Sequence, residues 1–219
     1  NEYSWYEENE ITLYTNEKVQ SINREEKIII TEKNRTLTYD KLIIATGSSA
    51  FILPVEGSTL PGVTGFRTIE DTQFMIDTAN EKKKAVVIGG GLLGLEAARG
   101  LIDLGMDVHV VHLMPNLMEQ QLDTKAASLL REDLEAQGMK FLMEKKTVKI
   151  LGTDHVEGIQ FEDGEVVDCD LIVMAVGIRP NTQIAKDAGL IVNRGIVVND
   201  YMLTNDESIY AVGECAEHD

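Results

Sequence analysis

The sequence predicts an α/β fold: a parallel sheet with helices, accompanied by β-meanders, within a chain of 219 residues. Three observations predict it. Between Ala85 and Met143 apolar runs of strand length alternate with helical stretches in the order strand, helix, strand, helix, strand, the order that builds parallel sheets. One of those strands runs through Gly89, Gly91 and Gly94 straight into an alanine-rich helix, AVVIGGGLLGLEAARGLIDLG. Finally, short β-rich runs separated by charged turns occupy the stretches before and after this core.

From Ile11 to Gly47 the runs ITLYT, KVQSI, KIIIT, TLTY and KLIIATG read as a meander ending in a buried strand. The Pro- and Gly-rich stretch around Pro54 and Pro61 then reads as a connection between domains. Thr68, with Asp71 three residues on, predicts a capped helix over Ile69 to Asn80. After the glycine loop come a strand from Asp107 to Leu113, a helix from about Asp123 to Gln137 closed by Gly138, and a strand at Lys140 to Met143. Three further runs, Thr147 to Leu151, His155 to Phe161 and Glu165 to Met174, form a second meander with a hairpin turn at Asp163-Gly164. It ends in DLIVMAVG, which echoes KLIIATG about 130 residues earlier. The chain thus carries one pattern twice: meander, buried strand, glycine.

The three glycines have a chemical reading. Gly89 permits the strand-to-helix turn, Gly91 lets the backbone approach phosphates, and Gly94 lets the helix press on the strand, while Leu92 and Leu93 open a helix whose N-terminal amides and dipole favour an anion. A dinucleotide pyrophosphate fits such a turn. A plain structural turn is the alternative.

Composition bounds the partners. The chain carries 20 Lys and Arg against 37 Asp and Glu, so a net charge of −17 argues against nucleic acid or an anionic membrane. No stretch reaches the roughly 18 apolar residues of a membrane span, and the acidic opening NEYSWYEENE is unlike a signal peptide, which predicts a cytoplasmic protein. Cys169 and Cys215 form no CxxC pair, and His109, His155 and His218 show no ligand spacing, so no metal site is expected.

Four landmarks, YDKLIIATG (Tyr39 to Gly47), GGGLLGLEAARG (Gly89 to Gly100), MAVGIRPN (Met174 to Asn181) and IYAVGECA (Ile209 to Ala216), resemble the FAD/NAD(P)-dependent pyridine nucleotide-disulfide-type oxidoreductases. Within that family LMPNLMEQQLD, VNRGIVVND and GECAEH look most like the flavin-containing N-terminal part of the NAD(P)H-dependent nitrite reductase large subunit. The resemblance implies a Rossmann-like NAD(P)-binding domain, 67–189, inserted in a partial FAD-binding domain made of 1–66 and the return segment 190–219. It further implies that NAD(P)H passes a hydride to FAD, the nicotinamide C4 lying roughly 3 to 3.5 Å from the flavin N5, with no catalytic acid, base or nucleophile from this chain.

Roles follow position by position. Gly89, Gly91 and Gly94, with Leu92 and Leu93, would hold the pyrophosphate; Glu96, in the first helical turn, would reach the nicotinamide end or serve only as a helix N-terminal charge. Gly177 would let the cofactor pass the backbone or merely make a turn. Ala45, Thr46 and Gly47 would lie beside FAD, and Gly213 and Glu214 would approach its ribityl and phosphate region, although most members carry Asp where Glu214 stands. His112 stands near the position where NAD-specific folds place an acid on the ribose 2′-hydroxyl, or is only a polar strand end. NADH and NADPH therefore stay open.

The resemblance also implies an internal piece: the flavin domain's own glycine loop would precede Asn1, and siroheme and a 4Fe-4S cluster would belong to the remainder. The FAD site is then expected to be incomplete here. Ferredoxin or rubredoxin reductases and NADH oxidases of the same build are the alternatives, with a non-catalytic nucleotide-binding module as a reading of another class and a homodimer left open.

Overall fold

A computed structural model describes residues 2–218. By its internal contacts the chain forms two units, one of Ser49–Arg179 and one of Asn1–Ser48 with Pro180–Asp219.

In the first unit the strand Lys84–Ile88 is apolar and buried on both faces from Ala85 on, as a central parallel strand must be. Alternate residues separate cleanly: Ala85, Val87, Val108, Val110, Leu171 and Val173 face a core with helical Leu95, Ala98 and Leu101. Their neighbours Val86, Ile88, Val111, Ile172 and Met174 face a second core with Ile150, Ile159 and Phe161 of the meander. The period of two along each strand thus decides which layer covers it.

The sheet has five parallel strands in the order Val63–Gly65, Leu171–Met174, Lys84–Ile88, Asp107–Val111 and Lys140–Leu142. Helices Ile69–Glu81, Leu92–Asp103 and Thr124–Ala136 supply the crossovers. The first opens with a complete capping box: Asp71 N–H donates to Thr68 Oγ1 at 3.1 Å, and the Asp71 carboxylate accepts from the Thr68 amide at 2.9 Å. Asp123 caps the third through the Ala126 amide at 2.8 Å. The antiparallel meander Thr147–Leu151, Gly158–Phe161 and Val166–Asp168 lies in sequence order.

The second unit repeats the pattern. Val19–Asn23, Ile28–Thr31 and Thr36–Thr38 form an antiparallel meander, and Leu42–Ile44 then pairs in parallel with Ile209–Ala211. Ile196–Val198 pairs in parallel with Ala216–His218. Ile44, Ile196, Ile209, Ala211 and Cys215 form its core. Arg24 ties the unit together, donating to Asp206 and to the Gly189 carbonyl, each at 2.8 Å.

Three expectations change, and one further element appears. Ile11–Thr15 is irregular, because among the described residues no strand pairs with it and Ile11, Leu13 and Tyr14 remain exposed. The run Glu165–Met174 breaks into two strands at Cys169-Asp170, one joining the meander and the other the parallel sheet. The Asp170 carboxylate makes that corner, accepting from the Lys83 and Lys84 amides. Tyr3–Glu8 is helical. Finally, Val63–Gly65, within the stretch read as a connection, is an edge strand of the parallel sheet, paired with Leu171–Met174.

Candidate dinucleotide site

Parallel strands in register bring their carboxyl ends to one edge. Ile88 lies opposite Met174, so the segments leaving them, Gly89–Gly91 and Ala175–Gly177, emerge side by side. Ala175 N–H donates to the Ile88 carbonyl at 2.8 Å. Chain from one strand enters a helix there while the other turns away, the crevice geometry in which open α/β sheets hold ligands.

The three glycines do different jobs. At Gly89, with φ +122°, a Cβ would sit 2.3 Å from the Ala175 carbonyl oxygen; at Gly94 it would sit 1.9 Å from the Gly89 carbonyl oxygen. Both are fixed by backbone against backbone. A Cβ at Gly91 would meet nothing within 4 Å, so this glycine leaves open space where the fold has no need of it. Gly91 is also the N-cap, and no side chain caps the helix. Its first-turn N–H groups, beside exposed Leu92 and Leu93, are therefore left for another acceptor. A pyrophosphate meets these requirements: room, donors and a positive helix end.

Gly177, at φ +109°, likewise has nothing within 4 Å of a Cβ. Glu96 is the fifth residue of Leu92–Asp103, so it stands in the second turn rather than the first, where the helix dipole is weaker. It lines an open cleft of about 360 Å³ with Phe66, Arg67, Thr72 and Leu93.

His112 does not point outward. It is 8% exposed, and its Nδ1 accepts from the Gly90 N–H at 3.0 Å, which leaves Nε2 to carry the proton toward Glu119 Oε2, also at 3.0 Å. Both ring nitrogens are engaged within the protein. Glu119, which brings a carboxylate to the glycine loop, was invisible in the sequence, where it is one acid in an irregular loop.

Of the two cysteines, Cys169 is buried beside Asp168 and Asp170; desolvation first, then those charges, pushes its thiol up to about 12. Among the described residues no group of three His, Cys, Asp or Glu is arranged to hold a metal, and no helix is long and apolar enough to cross a membrane.

In the other unit the paired strands Leu42–Ile44 and Ile209–Ala211 deliver Ala45-Thr46-Gly47 and Gly213-Glu214 to one edge. Val212 N–H donates to the Ile44 carbonyl, and Ser48 Oγ donates to Glu214 Oε2 at 2.8 Å. Asn181 clasps the first segment: its amide nitrogen Nδ2 donates to Thr46 O at 2.9 Å, and Thr46 Oγ1 donates to Asn181 O at 2.6 Å. Gly47 and Gly213, at φ +62° and +76°, have no atom within 4 Å of a Cβ. These two open glycines and the Glu214 carboxylate suit one side of a flavin nucleotide. Among the described residues this unit has no glycine-rich strand-to-helix turn of its own.

A parallel sheet whose carboxyl edge opens onto an uncapped, glycine-lined helix end defines the dinucleotide-binding α/β proteins. The chain belongs to the pyridine nucleotide-disulphide oxidoreductase family, whose pattern matches residues 3–219. It is 59% identical over 218 residues to "Nitrite reductase [NAD(P)H]" of Bacillus subtilis and 54% identical over 218 to the "Assimilatory nitrate reductase electron transfer subunit" of the same organism. Both matches cover 100% of this chain but only 27% and 28% of those proteins. Among solved structures, the ferredoxin reductase for the CYP199A2 system of Rhodopseudomonas palustris superposes with a TM-score of 0.94 at 31% identity, over 100% of this chain and 54% of that one.

Proposed function

We propose that the chain is the electron-input part of a nitrite-reductase-type flavoprotein, taking reducing equivalents from NAD(P)H into FAD. The observation that carries this reading is the open, uncapped glycine turn at the carboxyl edge of the sheet, within a chain so similar to the Bacillus reductase. When bound, the two dinucleotides supply the hydride transfer itself.

The chain's own residues bind and orient. The amides at Leu92 and Leu93 meet the pyrophosphate across the space that Gly91 leaves, and Gly177 lets the dinucleotide pass close to the neighbouring strand. Glu96 orients the nicotinamide end from its cleft. In the other unit Thr46, Gly47, Gly213 and Glu214 lie along the flavin nucleotide, the Asn181 clasp holding the first pair in place. On this reading 49–179 is the NAD(P)-binding domain and the remainder belongs to the FAD-binding domain, the 219 residues alone do not retain FAD, and the protein works in the cytoplasm. Nitrite is reduced to ammonia at siroheme and 4Fe-4S centres outside these residues.

Anaerobic titration of the full-length protein with NADH or NADPH is the test: the flavin absorbance bleaches on addition of reduced nicotinamide. A spectrum that stays unchanged contradicts the proposal and favours a non-catalytic nucleotide-binding module. The superposition on a ferredoxin reductase supports a second reading, the same input half feeding a small iron–sulfur protein. Reduction of nitrite, rather than of ferredoxin or rubredoxin, by the full-length protein separates the two.

A further inference from the structure

Coenzyme choice is decided at the adenosine ribose, and the residues around His112 bear on it. Gly90 packs against the imidazole so closely that a Cβ there would sit 2.7 Å from His112 Cγ. The loop that follows folds back onto the same glycine: Met118, held at φ +52°, donates its N–H to the Gly90 carbonyl at 3.0 Å. Glu119 is thereby brought beside the glycine turn, its Oε2 3.0 Å from His112 Nε2.

We propose that Glu119, held by His112, is the group that selects the unphosphorylated coenzyme, so that the site takes NADH in preference to NADPH. The inference rests on the coenzyme-binding reading above and names the substrate of that site. His112 is the positioning residue. Its side chain is 10% exposed whereas that of Glu119 is 31% exposed, so the pair runs from the buried loop to solvent. One carboxylate oxygen is used by the imidazole; among the described residues the other, Oε1, accepts nothing and is free for a ribose hydroxyl.

The surrounding charge points the same way. From Gly100 to Thr124 the sequence contains no Lys or Arg. Lys145, whose amide donates to the His112 carbonyl, has its ammonium engaged by Asp163 and Glu165. A 2′-phosphate would meet the Glu119 carboxylate as a like charge, whereas a 2′-hydroxyl donates to that carboxylate. The imidazole offers no alternative anchor, since Nδ1 is committed to Gly90.

The test measures Kd for NADH and NADPH with the full-length protein and with E119Q and H112Q variants. The expected result is that the native protein binds NADH at least about tenfold more tightly, and that E119Q brings the two within about threefold, chiefly by weakening NADH. H112Q, which cannot span Gly90 and Glu119 together, is expected to lower the ratio as well. The ratio is the telling quantity, since loosening of the fold alone weakens both coenzymes together. Equal native affinities, tighter NADPH, or an unchanged ratio in E119Q would overturn the inference while leaving the coenzyme site standing; failure of either coenzyme to bind would overturn both.

Discussion

Substituting alanine at Gly91 and at Gly94, three residues apart in one turn, should break the protein in two different ways. At Gly94 the new methyl carbon would be 1.9 Å from the Gly89 carbonyl oxygen and 2.9 Å from its carbon, both backbone, so no rotamer change relieves it and helix and strand must part. Overpacking of this kind costs about 1 to 3 kcal/mol, and a clash this deep belongs at the upper end. Alanine's better helix propensity returns about 1 kcal/mol of it. A net loss of roughly 2 kcal/mol follows, read as a Tm lower by about 5 °C. At Gly91 the methyl meets nothing within 4 Å, and the backbone, at φ −84° and ψ −178°, suits alanine. Weaker N-capping and a stiffer unfolded chain nearly offset one another, leaving stability within about 1 kcal/mol of native. The methyl does occupy the room reserved for phosphate. Displacing one charge-assisted hydrogen bond, worth about 1.5 to 3 kcal/mol, weakens coenzyme binding by about ten- to a hundredfold. Thermal unfolding and calorimetric titration of the two variants measure both effects. G91A binding NADH as the native protein does, or G94A unfolding at the native temperature, would refute this division of labour.

Other consequences are smaller. Replacing Asp71 by alanine removes the carboxylate that accepts from the Arg67 and Thr68 amides at 2.9 Å each; urea unfolding should show about 1 kcal/mol lost, as for other caps. Asp206 is held below its ordinary carboxyl pKa by the Arg24 guanidinium first, then the Ser208 amide, so its contribution is complete above the unfolded carboxyl range and is lost as pH falls through the lower folded value. D206N should flatten that part of the acid unfolding curve, and an identical acid limb would contradict the assignment. With its thiol pushed up to about 12, Cys169 should react with iodoacetamide at neutral pH far more slowly in the folded protein than in denaturant, since the thiolate is the nucleophile.

Several features were legible because they are governed locally. The glycine turn is written in residue types that the backbone clash at Gly94 makes obligatory, and the Thr68–Asp71 capping box closes within four residues. The repeated meanders follow from alternation and the Asp163-Gly164 turn, where Gly164 takes φ +86°. What stayed hidden depends on distant partners. Val63–Gly65 is a strand only because Leu171–Met174 lies beside it, and its three residues carry no period of their own. ITLYT has the alternation of a strand but no edge to pair with. The inward turn of the His112 ring to Gly90 and its contact with Glu119 were equally hidden, since Glu119 lies in a loop with no readable pattern.

The central claim is that the turn from Gly89 to Gly94 receives the coenzyme's pyrophosphate. Amide chemical-shift mapping during titration with NADH tests it most directly. The Gly91, Leu92, Leu93 and Gly94 resonances should move furthest and saturate together. Shifts concentrated elsewhere, for example in the open groove lined by Phe74, Lys82 and His155, with the glycine turn unmoved, would contradict it.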